Sequence, residues 1–384
     1  MSWQPILEAD DRTRAIALVR AIAHEAPNRL PANDPSLMGT AGVALFLAYA
    51  ESAGVAEAGR AEAILVDTLR AAAAKCMPVG LWTGCSGLRW LIDHISHGDT
   101  AARLTHHFDD AVARALTEAP EDVSFDIYSG LAGIALAYAD TTDELGTSIR
   151  DAALHRLVAL EWGRLRDVSG CAHGFAGVVA ALVRCADTNP RAAALRRGLL
   201  VDLVGRILAR DDHGARVCWC RGESSIALAL LAAARALDDR NLEARALQLA
   251  LAPFRRPDAT WPVDATLCHG AAGLAHMCNR AYQATGNVTL GMHARDWLRR
   301  TIAAHQPGIG IAGYRSRRHR PEPRWENNAS LLVGASGIGL ALLAGATSLA
   351  PAWDRLLAID LAPAPGLRLA NDLTRPRPTT DARP

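Results

Sequence analysis

Three residues carry the first chemical signal in this sequence: Cys220, Cys268 and His269. Two thiolates and an imidazole with a fourth position open form the kind of ligand set that a catalytic zinc ion uses. The spacing is unlike that of a zinc finger, because 47 residues lie between the two cysteines. What joins them is a shared place: each stands two residues before a glycine, Gly222 or Gly270, that opens an apolar run. Two buried thiols and a solvated histidine are the alternative reading. A related stretch, Gly170-Cys171-Ala172-His173-Gly174-Phe175-Ala176-Gly177, puts His173 immediately before its glycine, in the register of His269. Imidazole titrates near neutral pH, so His173 is a candidate general acid or base facing the metal, with a capping or core histidine as the alternative. Asp126, just upstream of another glycine turn, could orient that imidazole or serve as an N-cap or turn residue. Arg216, four residues before Cys220, could hold a carboxylate or an enolate, or lie solvated on the surface. Cys171 and Cys218 flank the set and read as packing residues.

Residues this far apart need a frame that brings them to one place. A glycine turn followed by an apolar run recurs seven times, starting at Gly39, Gly84, Gly130, Gly174, Gly222, Gly270 and Gly334. Successive intervals are 45, 46, 44, 48, 48 and 64 residues. Six copies keep a second glycine three residues on; the fifth has Ser225 there. The runs that follow, such as VALFLAYA (43–50) and IGLALLAGA (338–346), are rich in helix-favouring Ala and Leu and nearly free of charge. Between them lie amphipathic stretches at 6–25, 57–75, 100–117, 146–162, 190–210, 236–254 and 288–305. Strand signals are nearly absent. The expected fold is all-α, with a buried inner helix and an amphipathic outer helix in each of seven units. A closed ring fits better than an open solenoid, since it converges all the glycine turns on one mouth.

The chain is long enough for a large core, and with 50% hydrophobic and 21% charged residues it reads as globular. A formal net charge of +1 gives no reason to expect nucleic acid as a partner. No secretory signal and no membrane-spanning run is apparent, so a cytoplasmic protein is expected, with its eight cysteines kept as thiols. Residues 1–372 read as a single domain and 373–384 as a disordered tail rich in Pro and Arg. The long sixth interval holds a basic, proline-containing segment from Tyr314 to Trp325, expected to reach over the mouth and to suit an acidic leader peptide or simply to be solvated.

The chain resembles the lanthionine synthetase C-like family, the cyclases of lanthipeptide biosynthesis. Asp126-Ile-Tyr-Ser-Gly-Leu-Ala-Gly is similar to that family's Asp-containing motif, and Ala172-His173-Gly174-Phe-Ala-Gly to its AHGxAG motif. Trp219-Cys220-Arg221-Gly222 is similar to its WCxG motif, and Cys268-His269-Gly270 to its CHG motif. The resemblance implies an α/α toroid of seven inner and seven outer helices. It also implies zinc (Zn2+) held by Cys220, Cys268 and His269, with His173, Asp126 and Arg216 as the other active-site residues. Two departures lie beside a ligand: Arg221 where the family often has Tyr, and Glu223-Ser224-Ser225 where Pro-Gly commonly follows.

The activity so implied is addition of a cysteine thiolate to the β-carbon of a dehydroalanine or dehydrobutyrine in the same peptide. Protonation at the α-carbon, with His173 as the donor, then completes a lanthionine or methyllanthionine ring. The implied partners are a dehydrated precursor peptide, leader and core, and a dehydratase and transporter complex. Two other readings stay open at this point. One is a zinc-dependent prenyltransferase-type enzyme, disfavoured by only 5% aromatic residues and by the CHG and AHGxAG motifs. The other is a binding or scaffold protein that holds a modified peptide or glutathione without turnover.

Overall fold

A computed structural model describes residues 3–364, apart from 31–33, 97–98, 119–123, 167, 169, 186–189, 211–215, 257–258, 260 and 319–321. The expected tail at 373–384 therefore lies outside the described residues.

The seven inner helices are α2 (Thr40–Ser52), α4 (Cys85–Ile95), α6 (Leu131–Ala137), α8 (Phe175–Arg184), α10 (Glu223–Leu237), α12 (Ala271–Thr285) and α14 (Ala335–Ala346). The outer seven are α1 (Ala9–Glu25), α3 (Arg60–Ala73), α5 (Asp99–Glu118), α7 (Glu144–Ala159), α9 (Pro190–Leu208), α11 (Arg240–Leu251) and α13 (Val288–Ala303). Each inner helix packs on its two inner neighbours and on the outer helix that follows it. Ring closure is set by the last unit: α14 packs against α2 and takes α1, the first outer helix, as its own partner. The N-terminal strap fastens that seam, with the Ile6 and Leu7 amides both donating to the Gly345 carbonyl at 2.9 Å. The protein is an α/α toroid. Among the described residues no helix is long and apolar enough to cross a membrane.

Composition explains the two layers. All twelve residues of α14 and all but the last of α12 are buried, which demands side chains without charge or with internal partners. Outer helices bury one stripe only; α3, for instance, buries Ala61, Leu65, Thr68 and Ala72 at helical spacing.

The glycines are dictated by how sharply the chain doubles back before each inner helix. A Cβ on Gly174 would stand 1.8 Å from the Val168 carbonyl oxygen, and one on Gly273 would stand 1.8 Å from that of Leu267. No side chain survives such an approach.

The glycine turns sit at one end of the ring, and the C-terminal segment closes the other. Residues Ala352–Leu357 form a 3₁₀ turn beyond α14. Arg280 of α12 binds Asp354 there at 2.6 and 2.8 Å, and Arg184 at the end of α8 reaches Asp360 at 3.4 Å. Near the end of α10, Arg235 donates to the Ala362 carbonyl at 2.6 Å.

The long sixth interval holds the little strand found among the described residues. Ser316–Arg318 (β1) and Arg324–Glu326 (β2) pair antiparallel, with Arg317 opposite Trp325. Glu326 draws Arg318 and Arg324 together at 3.2 and 2.6 Å, while Arg315 and Arg317 lie over the exposed Trp325 ring. A three-residue pair with one aromatic is too short to leave a period-two signature in sequence.

Candidate active site

The glycine turns are stitched to one another through their backbones. The Met38 amide donates to the Trp82 carbonyl (3.3 Å), Trp82 to Tyr128 (3.0 Å), and Tyr128 to Ala172 (3.2 Å). The chain continues with Cys171 to Trp219 (3.2 Å), Trp219 to Cys268 (2.9 Å) and Cys268 to Leu332 (2.8 Å). Seven loops are thus joined by six hydrogen bonds into a crown at the mouth of the ring. Cys268 is a link in that chain by both its N–H and its C=O. Cys220 follows the link residue Trp219, and His173 follows the link residue Ala172. The crown, then, is what turns sequence intervals of tens of residues into adjacency.

Two of the candidates meet directly. His173 Nδ1 lies 2.8 Å from Asp126 Oδ2, and the ring keeps 35% of its side-chain surface exposed. Asp126 is held in turn through Oδ1 by the N–H groups of Ser129 (2.8 Å) and Gly130 (3.1 Å). Asp126 is therefore both turn residue and histidine orienter. Burial alone would raise its pKa, but the hydrogen bonds from His173 and from the Ser129 backbone hold it below the usual carboxylate range. With Nδ1 turned to the carboxylate, Nε2 is the ring nitrogen left for a substrate.

The thiols form a second cluster. Cys220 Sγ stands 3.9 Å from Cys218 Sγ, so buried Cys218 packs directly against the candidate ligand. Contact with Cys218 eases ionisation of Cys220, yet Cys268 and burial together push its thiol up to about 12. Cys218 is raised as well, first by Cys220 and then by burial. Cys171, by contrast, is fully buried, its thiol donating to the Ser225 carbonyl at 3.4 Å. It packs.

His269 Nε2 lies 3.6 Å from Asp264 Oδ2, and the Asp264 side chain has no exposed surface. Burial works against protonation of His269, and Asp264 more than offsets it, so its pKa is raised. Asp264 was not singled out from the sequence; nothing marks an aspartate four before a cysteine as its neighbour's partner. Tyr128 was overlooked too. Its ring centroid is 5.3 Å from that of His173, and its phenol pKa is raised by burial and then by Cys268, so it stands between the two clusters. A cavity of about 500 Å³ opens beside it, lined by Asp34, Met38, Thr83, Tyr128, Asn328 and Ser330.

Arg216 is placed differently. Its carbonyl accepts the first N–H of α10, from Glu223, at 3.2 Å, and the residue is exposed on the rim. No contact of its guanidinium with the thiols or imidazoles appears among the described residues.

The departures beside Cys220 have structural reasons. Ser225, at the place of the missing glycine, accepts the Cys171 N–H at 3.2 Å and donates to the Gly222 carbonyl at 3.0 Å. Buried Glu223 takes Arg256 in a two-pronged pair at 3.0 Å on each side. Only Arg221 is exposed.

The donor set can be tested against zinc on this arrangement. Among the described residues no group of three or more His, Cys, Asp or Glu side chains is arranged so that it could hold a metal ion. The chemistry of the set nonetheless fits: two thiols on backbone-bonded neighbouring loops interact with each other, and His269 adjoins one of them. The Cys220 thiol resists ionisation by itself, and a divalent cation is what reverses that resistance. A carboxylate beside the imidazole is the usual companion of a zinc-binding histidine.

Comparison with known proteins adds the following. Residues 31–358 match the family described as lanthionine synthetase C-like protein. Among solved structures the chain is similar to nisin cyclase, with a TM-score of 0.68 and 16% identity, covering 86% of this chain and 93% of that one. Curated proteins yield no match.

Proposed function

The chain belongs to the lanthionine synthetase C-like family, and on that premise we propose that it is a zinc-dependent lanthipeptide cyclase. The observation that carries this reading is the presence of two clusters on one crown. An oriented imidazole, His173 on Asp126, occupies the loops before α6 and α8, and a thiol–imidazole ligand set occupies the loops before α10 and α12.

Cys220, Cys268 and His269 would hold the zinc ion. Bound there, zinc lets a substrate cysteine exist as a thiolate at neutral pH, because coordination displaces the thiol proton. The crown holds the two ends of a flexible peptide near each other, which is where most of the rate advantage of an intramolecular addition arises. As the thiolate attacks the β-carbon of a dehydroalanine or dehydrobutyrine, the C=C electron pair moves to the α-carbon and its carbonyl. His173, protonated on both nitrogens, gives the Nε2 proton to that α-carbon. Asp126 keeps Nδ1 engaged throughout and stabilises the imidazolium before transfer. Arg216, exposed on the rim, is available to an anionic part of the peptide or to the enolate. The mouth accepts the precursor peptide, core and leader, and a dehydratase and transporter would act on either side of it.

The test pairs metal analysis with a peptide assay. Purified protein should carry about one zinc per chain and should protect the cysteines of a dehydrated peptide from alkylation, read by mass. Cys268→Ala should lose both. A wild-type protein that leaves every peptide thiol open to alkylation would make this a binding protein rather than an enzyme, and zinc fully retained in Cys268→Ala would remove the ligand assignment.

A further inference from the structure

Asp264 stands at a junction of three elements. Its side chain is completely buried, and both carboxylate oxygens are assigned. Oδ1 accepts the Thr266 N–H at 3.0 Å and the Thr266 hydroxyl at 2.9 Å. Oδ2 accepts the Arg317 N–H, from strand β1 of the hairpin, at 2.9 Å, and also faces His269 Nε2 at 3.6 Å. Its backbone carbonyl accepts the N–H of Ala271, the first residue of α12, at 2.9 Å. One residue thus joins the Cys268-His269 loop, the helix that follows it and the hairpin beside the mouth.

A buried carboxylate is costly unless its charge is used. Thr266 and Arg317 supply neutral donors, and among the described residues His269 is the one imidazole turned toward it. We propose that Asp264 is a positioning residue for His269: it takes the Nε2 side of the ring, commits Nδ1 to the metal, and ties that orientation to hairpin β1–β2. The inference rests on the zinc reading above and deepens it. A carboxylate behind a ligating imidazole fixes the tautomer and makes the ring a better donor, and losing such a partner typically costs about 10- to 100-fold in metal affinity.

Asp264→Asn keeps the volume but cannot offer acceptors to Thr266 and Arg317 and also carry charge toward His269. Competition with a chromophoric chelator should show zinc held about 10- to 100-fold more weakly in this variant. Thr266→Val, which removes only the hydroxyl bond to Oδ1, should leave zinc affinity at the wild-type value. Arg317→Ala, which keeps its N–H, should do the same. Equal affinity in Asp264→Asn and wild type would overturn the proposal, as would an equal loss in Thr266→Val.

Should Asp264→Asn not fold, the wild-type protein decides. Substituted with cadmium-113 and labelled with 15N-histidine, it should show metal–nitrogen coupling at Nδ1 of His269, with Nε2 carrying the proton. Coupling at Nε2 overturns the proposal. Failure of the wild type to bind zinc or cadmium is a separate result, which removes the zinc reading itself and this inference with it.

Discussion

The indole Nε1–H of Trp219 donates to the carbonyl oxygen of Leu357 at 2.8 Å, across 138 residues of chain. Trp219 also precedes Cys220 and holds two crown links, its N–H to Cys268 and its C=O from Cys171. The segment that closes one end of the ring is therefore anchored to the residue beside a candidate ligand at the other. Trp219→Phe would strand a buried carbonyl, at a cost of about 1–3 kcal/mol, and would leave part of the indole volume empty. The denaturant midpoint should fall with an unchanged slope. An unchanged midpoint would show that the bond contributes nothing to the fold.

His173 and Asp126 separate chemistry from folding. His173→Ala should keep its zinc and cyclise a dehydrated peptide about 10²- to 10⁴-fold more slowly, the usual span for a positioned acid or base. Single-turnover kinetics beside elemental analysis checks both halves. An unaltered rate would remove His173 from the mechanism.

Asp126 has a pH signature of its own. Its folded-state pKa is depressed, so its stabilising contribution is complete above the ordinary carboxylate value of about 3.9 and is lost as pH falls through the lower folded value. Asp126→Asn has no charge to lose. Its stability deficit against wild type should be largest at neutral pH and shrink steadily below about pH 4. Urea titrations across that range measure it; a deficit independent of pH would mean the carboxylate charge plays no part.

Gly170 is required twice over. It sits at φ +97°, and a Cβ there would meet the Arg221 Cα and the Cys220 carbonyl oxygen, each at 2.4 Å. Gly170→Ala should therefore cost more than the roughly 1–2 kcal/mol of left-handed strain, because the Cys220 loop must move. Metal affinity should fall along with the melting temperature. Gly198, exposed on α9 with nothing within 4 Å of an added Cβ, is the control. Gly198→Ala should stabilise by about 0.5–1 kcal/mol.

Ser225 replaces a glycine for a reason that substitution can expose. Ser225→Ala removes both its bonds, to Cys171 and Gly222, and should destabilise by about 0.5–1.5 kcal/mol, the modest net loss of a bond, since the Cys171 N–H keeps the Trp219 carbonyl. Zinc content should be unchanged. Loss of metal from a folded Ser225→Ala protein would mean that this serine supports the ligand loop directly.

The architecture was legible because its signals are local and repeated. Each glycine marks a turn whose carbonyl leaves no room for a Cβ, and each helix pair alternates buried and striped faces, so seven units could be counted and their closure anticipated. That the Cys220 loop and the Cys268-His269 loop are neighbours followed from their register against those glycines. Asp264 could not be found this way, because its value lies in a contact with His269 and a backbone bond to Arg317, 53 residues on. The Trp219–Leu357 bond is hidden for the same reason. Nor does periodicity say which way a side chain points: Cys218, two residues from Cys220 and read as packing, turns toward it, while Arg216 lies out on the rim.

The crown is fastened by amides and carbonyls, and these are the same whatever residue supplies them. Met38, Trp82 and Leu332 fill their links with inert side chains, while Cys268 fills its own with a thiol. Side-chain chemistry at these places is therefore decoupled from the integrity of the circle. A ligand or an acid could be moved to another sector, or a silent sector given one, while the main chain keeps its course. The ring behaves as a set of seven like sockets, four of which carry the residues of the candidate site.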